Sequence, residues 1–84
     1  MRMITINFLE KNGFRKEVKG ITAGWYIYQT WEGIVSVYVN DDIHNAVAIT
    51  CGLWSINAHN LSIEKFIDAL RLCGMNKLAD SIVM

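Results

Sequence analysis

His44, Cys51, His59 and Cys73 are the chain's only imidazoles and thiols, and together they offer the nitrogen and sulfur donors of a zinc site. Structural zinc sites usually draw their ligands as close pairs, because one tight turn must aim two donors at one ion. Here the successive gaps are seven, eight and fourteen positions, so no metal is expected. Asp41, Asp42 and His44 form the one cluster of acids with an imidazole, in a polar loop where a general acid or base could sit. Adjacent aspartates in a loop more commonly hydrogen-bond the local backbone as turn formers. No nucleophile or oxyanion donor stands near them in the sequence. Cys51-Gly52 suggests a thiol nucleophile served by His44 or His59, but an activated thiol needs an electropositive setting. Val47, Ile49, Leu53 and Trp54 give it an apolar one. The six glycines are isolated along the chain, so no phosphate cradle is expected. No catalytic residue and no cofactor are expected. The loop at Asp41, Asp42 and His44 holds the alternative reading, a small-ligand binder or hydrolase.

The other chemistry these residues offer is contact. Trp25-Tyr26-Ile27-Tyr28-Gln29-Thr30-Trp31 is dense in aromatic and branched side chains, which favours a strand. Alternation puts Trp25, Ile27 and Trp31 on one face and Tyr26 and Tyr28 on the other. Glu32-Gly33 then predicts a tight hairpin into Ile34–Val39, where Val35, Val37 and Val39 share a face and Ile34, Ser36 and Tyr38 share the opposite one. With helices over the valines, Tyr38 faces outward, and Tyr26 and Tyr28 are expected beside it as a wet tyrosine surface. Such a cluster would serve as a protein-interaction surface, because Tyr and Trp give rigid contact area at little entropic cost.

The elements that must position these residues are legible in part. Ala46–Cys51 predicts a third strand, and Leu53–Ile56 a fourth or a bulged extension. Ser62 is an N-cap, with Leu61 before it and Phe66 after it at the spacing of a hydrophobic staple. Ile63, Phe66, Ile67, Leu70 and Cys73 recur as one helical stripe, and Gly74 with Met75 supplies the stop. Asn76 is expected to cap a short last helix through Leu78 and Ile82. The same stop recurs at Leu9, Gly13 and Phe14, predicting a helix over Thr5–Asn12 with Thr5 as cap. Ile4, Ile6 and Phe8 also alternate at period two, so a strand competes there; the Asn-Gly stop favours the helix. The order is a short helix, an antiparallel meander of three to four strands, then an amphipathic helix and a short last helix on one sheet face. That is a single α+β domain over residues 1–84.

Two of these segments, Leu9-Glu10-Lys11-Asn12-Gly13-Phe14 and Ala69-Leu70-Arg71-Leu72-Cys73-Gly74, give the chain a likeness. It resembles small uncharacterised proteins of gut Bacteroides-type bacteria and their mobile elements, in which similar helix stops flank an aromatic-rich meander. The resemblance implies the fold order above and a bacterial mobile-element setting. It supplies no activity and no catalytic residue.

Composition bounds the partners. Apolar residues make up 52% of the 84, and adding the six glycines gives roughly 60%, against about 45–50% for an average domain counted alike. A domain this small leaves much of its surface wet, so the surplus is expected to cover itself against a second copy or another protein. Eight Lys and Arg balance eight Asp and Glu, and the basic residues are dispersed, so nucleic acid is not an expected partner. The first residues lack the run of a signal peptide, and no segment approaches the roughly 18 apolar residues of a membrane span. A cytoplasmic protein with no membrane partner is expected, with Cys51 and Cys73 reduced and structural.

Overall fold

A computed structural model describes residues 2–40, 45–52, 54–59 and 61–84. The elements are α1 (Ile6–Lys11), β1 (Arg15–Lys16), β2 (Trp25–Thr30), β3 (Gly33–Asn40), β4 (Asn45–Cys51), β5 (Trp54–Asn57), α2 (Ile63–Leu72) and α3 (Asn76–Ser81). Each strand pairs antiparallel with the next, giving one sheet in the order β1-β2-β3-β4-β5. The fold is α+β, with five strands where three to four were expected. The extra strand is β1, two exposed residues whose Arg15 and Lys16 pair with Ile27 and Tyr26. So short and polar a segment carries no alternation to read.

The helix boundaries follow the capping chemistry in the sequence. Thr5 caps α1 by accepting from the Phe8 N–H at 3.2 Å, and Ser62 caps α2 by accepting from the Lys65 N–H at 3.2 Å. Both helices end in the same double turn-back. The Phe14 N–H reaches the Leu9 carbonyl at 2.9 Å and the Gly13 N–H reaches Glu10 at 3.1 Å; Met75 to Leu70 and Gly74 to Arg71 repeat those distances. This pattern needs a left-handed residue, which Gly13 (φ 89°) and Gly74 (φ 84°) supply without a Cβ penalty. Leu9, Phe14, Leu70 and Met75 are all buried, so each stop also contributes to the core.

The last helix departs from expectation. Asn76 is the first residue of α3, and the cap position falls to Met75, which has no side-chain acceptor. The acceptor comes from the hairpin turn, where the Glu32 carboxylate takes the Lys77 N–H at 3.2 and 3.4 Å. Lys77 Nζ in turn lies 4.7 Å from the centroid of the Trp31 ring. The β2–β3 turn and α3 are thus fastened together by a carboxylate at the helix N-terminus and a cation over an indole. The turn itself is Trp31-Glu32, since Thr30 pairs with Gly33. A Cβ on Gly33 would lie 3.4 Å from Met75 Sδ, an ordinary contact distance, so this end of the hairpin lies beside the α2–α3 corner.

The core fills one side of the sheet. Val35, Val37, Val39, Ile49 and Cys51 are buried there under Phe8, Leu9, Phe66, Leu70 and Leu78. Phe66 stands between the two ends of the layer, its ring centroid 6.2 Å from Phe8 and 6.3 Å from Phe14. Each fully buried side chain of this size is worth about 1.5–3 kcal/mol relative to exposure. Both ends of the described chain join this layer. Ile4 is buried, its carbonyl accepting from the Ala46 N–H at 2.9 Å. Asn12 acts as a strap for the other end: its Nδ2 donates to the Val83 carbonyl at 2.9 Å and its Oδ1 accepts from the Val83 N–H at 2.7 Å.

The structure corrects the placement of two tyrosines. Tyr26 stands opposite Val37 and Tyr28 opposite Val35, and directly opposed residues share a face. Tyr26 is therefore in the core, 5% exposed, and Tyr28 is half-buried with its ring 5.3 Å from Phe14. Tyr38 alone of the three faces outward, at 40% exposure. The physical reason is parity. A two-residue turn sets even-numbered positions of β2 against odd-numbered positions of β3, so the tyrosines must follow the valines under the helices.

Candidate interaction surface

The register lays out the sheet face away from the helices in rows. One row runs Trp25, Tyr38, Ala48, Asn57; the next runs Arg15, Ile27, Ser36, Thr50, Ser55; a short third holds Gln29 and Ile34. The apolar members gather at the β2–β3 end and the small polar ones at the β4–β5 end. Trp25 and Tyr38 are a cross-strand pair whose rings lie 5.4 Å apart at 49°. Ile34 and Tyr38 are exposed, whereas Trp25 and Ile27 are half-buried by their neighbours on the same face. Elsewhere, the loop between β1 and β2 holds two further exposed apolar side chains, Val18 and the fully exposed Ile21.

The strands hold this arrangement rigidly. β3 is bonded on both sides, by β2 over residues 33–38 and by β4 over residues 35–40. Near Tyr38 the β3–β4 register skips Val47, a bulge that ends the regular row and sharpens the local twist. The Glu17 N–H donates to the Trp25 carbonyl at 2.8 Å, which fixes the start of β2 and with it the indole. Aromatic rings set on paired strands present contact area without the entropy of a floppy loop. The trio named from sequence as the interaction surface, Tyr26, Tyr28 and Tyr38, is therefore split between the two faces, and Trp25, Ile27 and Ile34 stand beside Tyr38 instead. Parity groups these residues on one face from the sequence alone; the packing of the helices decides that this is the face left uncovered.

The chemistry-bearing residues are distributed as follows. Asp41, Asp42 and His44 lie outside the described residues. His59 is exposed in the turn after β5, its backbone N–H donating to Asn57 Oδ1 at 2.9 Å. Among the described residues, no three His, Cys, Asp or Glu side chains gather as a metal-binding group. Burial pushes the Cys51 thiol up to about 12, with a hydrogen bond to Cys73 and that neighbour's charge adding to the rise. A thiol so raised is protonated at neutral pH and is a poor nucleophile. An open cleft of about 620 Å³ lies where β1 stops covering the edge of β2, lined by Gly13, Arg15, Lys16, Glu17, Ile27, Tyr28 and Gln29. Its walls mix both charges with an aromatic ring and hold no nucleophile.

No described helix is long and apolar enough to cross a membrane. The chain matches no protein-family model, no curated protein and no solved structure.

Proposed function

We propose that the chain is a small cytoplasmic, non-enzymatic interaction module that pairs with a second copy of itself through the uncovered sheet face. The observation that carries this reading is the Trp25–Tyr38 ring pair, 5.4 Å between centroids, on a face that also presents Ile27 and Ile34 and lies away from the helices. Buried Trp and Tyr anchors dominate the energetics of protein interfaces. A two-fold axis over this face would lay the aromatic corner of each copy on the other, an arrangement that closes on itself without leaving the patch free to recruit further copies. The apolar surplus in the composition supports the same reading. The two free cysteines suit a reducing compartment.

Light scattering after size exclusion tests this at about 100 μM, a concentration at which micromolar association is visible. The wild-type chain is expected to run as a dimer. Replacing Trp25 and Tyr38 with Ser is expected to return it to the monomer mass of 9.6 kDa with its circular dichroism retained. A wild-type monomer, or a double variant that dimerises as before, removes the reading.

A further inference from the structure

Asn12 is the only asparagine in the chain that is followed by glycine. Such a pair is the peptide sequence most open to deamidation, because glycine puts no side chain in the way of its own nitrogen attacking the preceding carboxamide. Here it forms the α1 stop, with Asn12 half-buried and Gly13 exposed. The fold holds the pair away from that reaction in two ways. Asn12 has ψ 16°, whereas closing the five-membered ring needs its Cβ and the Gly13 nitrogen on the same side of the Cα–C bond; the Gly13 N–H is itself committed to the Glu10 carbonyl at 3.1 Å. The carboxamide is pinned as well. Its Nδ2 donates to the Phe8 and Val83 carbonyls, both at 2.9 Å, and its Oδ1 accepts from the Val83 N–H at 2.7 Å. Two of these three bonds come from one residue 71 positions away. Lys11 Nζ holds the next residue, donating to the Met84 carbonyl at 2.7 Å. Val83 and Met84 are exposed, so polar contacts rather than burial secure them.

We propose that Asn12 is a spontaneous deamidation site that residues 83–84 keep shut, and that its conversion to aspartate or isoaspartate releases them. The reaction starts when the segment lifts and the end of α1 frays, a local opening that needs no global unfolding. The Gly13 nitrogen, its proton lost to base, attacks Cγ of Asn12 and forms a C–N bond. The Cγ–Nδ2 bond breaks, and ammonia leaves with a proton in place of the one given up. Water then adds to either carbonyl of the succinimide and breaks one of its two C–N bonds, leaving aspartate or isoaspartate at position 12. The product cannot restore the clamp. A carboxylate has no N–H to give, so an oxyanion would face the Phe8 and Val83 carbonyls that Nδ2 served. It would also stand at the C-terminal end of α1, where the helix dipole disfavours negative charge. The change is therefore one-way and self-reinforcing: each conversion removes the contacts that delayed it. None of these residues belongs to the uncovered sheet face, so the proposal does not rest on pairing through it.

The experiment incubates the folded full chain in warm, mildly alkaline buffer beside a sample unfolded in urea, and follows the Asn12 peptide by mass and retention time. The folded chain is expected to convert at least about tenfold more slowly, since reaction waits on local opening. Val83→Pro removes the N–H that Oδ1 accepts, and Ile82, at φ −63° and ψ 129°, already has the backbone a following proline needs. Its folded rate is expected about fivefold above wild type, the worth of one lost hydrogen bond, with the rate in urea unchanged. Asn12→Asp stands in for the product and is expected to speed exchange of the Val83 amide proton about tenfold, with circular dichroism retained. Equal folded and unfolded rates, a folded Val83→Pro chain that converts at the wild-type rate, or a Val83 amide as protected in Asn12→Asp as in wild type would each overturn the proposal.

Discussion

The two faces of this sheet carry nearly the same kinds of side chain and end in opposite environments. Tyr26, Val35, Val37 and Ile49 are sealed under the helices, whereas Trp25, Ile27, Ile34 and Tyr38, no less apolar, stay on the outer surface. Hydrophobicity by itself therefore did not choose the core. The choice belongs to register and to the helices' apolar stripe, which covers one face of the three central strands β2–β4 and leaves Trp54 of β5 and Lys16 of β1 exposed. What the uncovered face keeps is an apolar corner with no intramolecular use, and that surplus is where interaction is to be sought.

The sharpest way to break the comparison is in the covering layer. Leu70 sits mid-stripe at 1% exposure and also closes the α2 stop through its carbonyl and its packing with the buried Met75. Leu70→Ala is expected to cost about 2–5 kcal/mol in urea unfolding. A loss under about 1 kcal/mol, the size of an ordinary surface change, would show that the stripe does not seal the sheet.

A paired experiment on one residue type isolates the faces themselves. Tyr26→Ala removes a ring from the core and is expected to cost about 2–4 kcal/mol of monomer stability. Tyr38→Ala removes the same ring from the open face, and its cost to the monomer is expected to stay below about 1 kcal/mol. Unfolding at low protein concentration, where association makes no contribution, measures both. Equal costs would mean that the two faces are equally buried.

The smallest expected effect probes how dry the covered face is. The Cys51 thiol titrates near 12 in the folded chain, above its ordinary 9.0, with burial the leading cause. Below pH 9 folded and unfolded chains both hold the proton, so this group gives no pH dependence. Between 9 and 12 the unfolded chain releases it and the folded one does not, so stability falls as pH rises. The alkaline drop in urea midpoint should be shallower in Cys51→Ala than in wild type. Identical drops in the two proteins mean that water reaches Cys51.

Local chemistry wrote the helix ends into the sequence. Thr5 and Ser62 as caps, Gly13 and Gly74 as stops, and the Leu9–Phe14 and Leu70–Met75 pairs were all readable, because each depends on residues at most five positions apart. The α+β order and the hairpin after β2 were readable for the same reason, from alternation and a short turn. β1 was not, since two polar residues become a strand only when β2 is already there to pair with. The cap of α3 was not, because its acceptor is Glu32, 45 positions away on a turn that only the folded core brings to the helix. The face of each tyrosine stood between these cases. Turn parity ties Tyr26 and Tyr28 to Val37 and Val35 from sequence alone, but which of the two faces the helices cover is decided by where α2 and α3 pack, and local spacing carries no information about that.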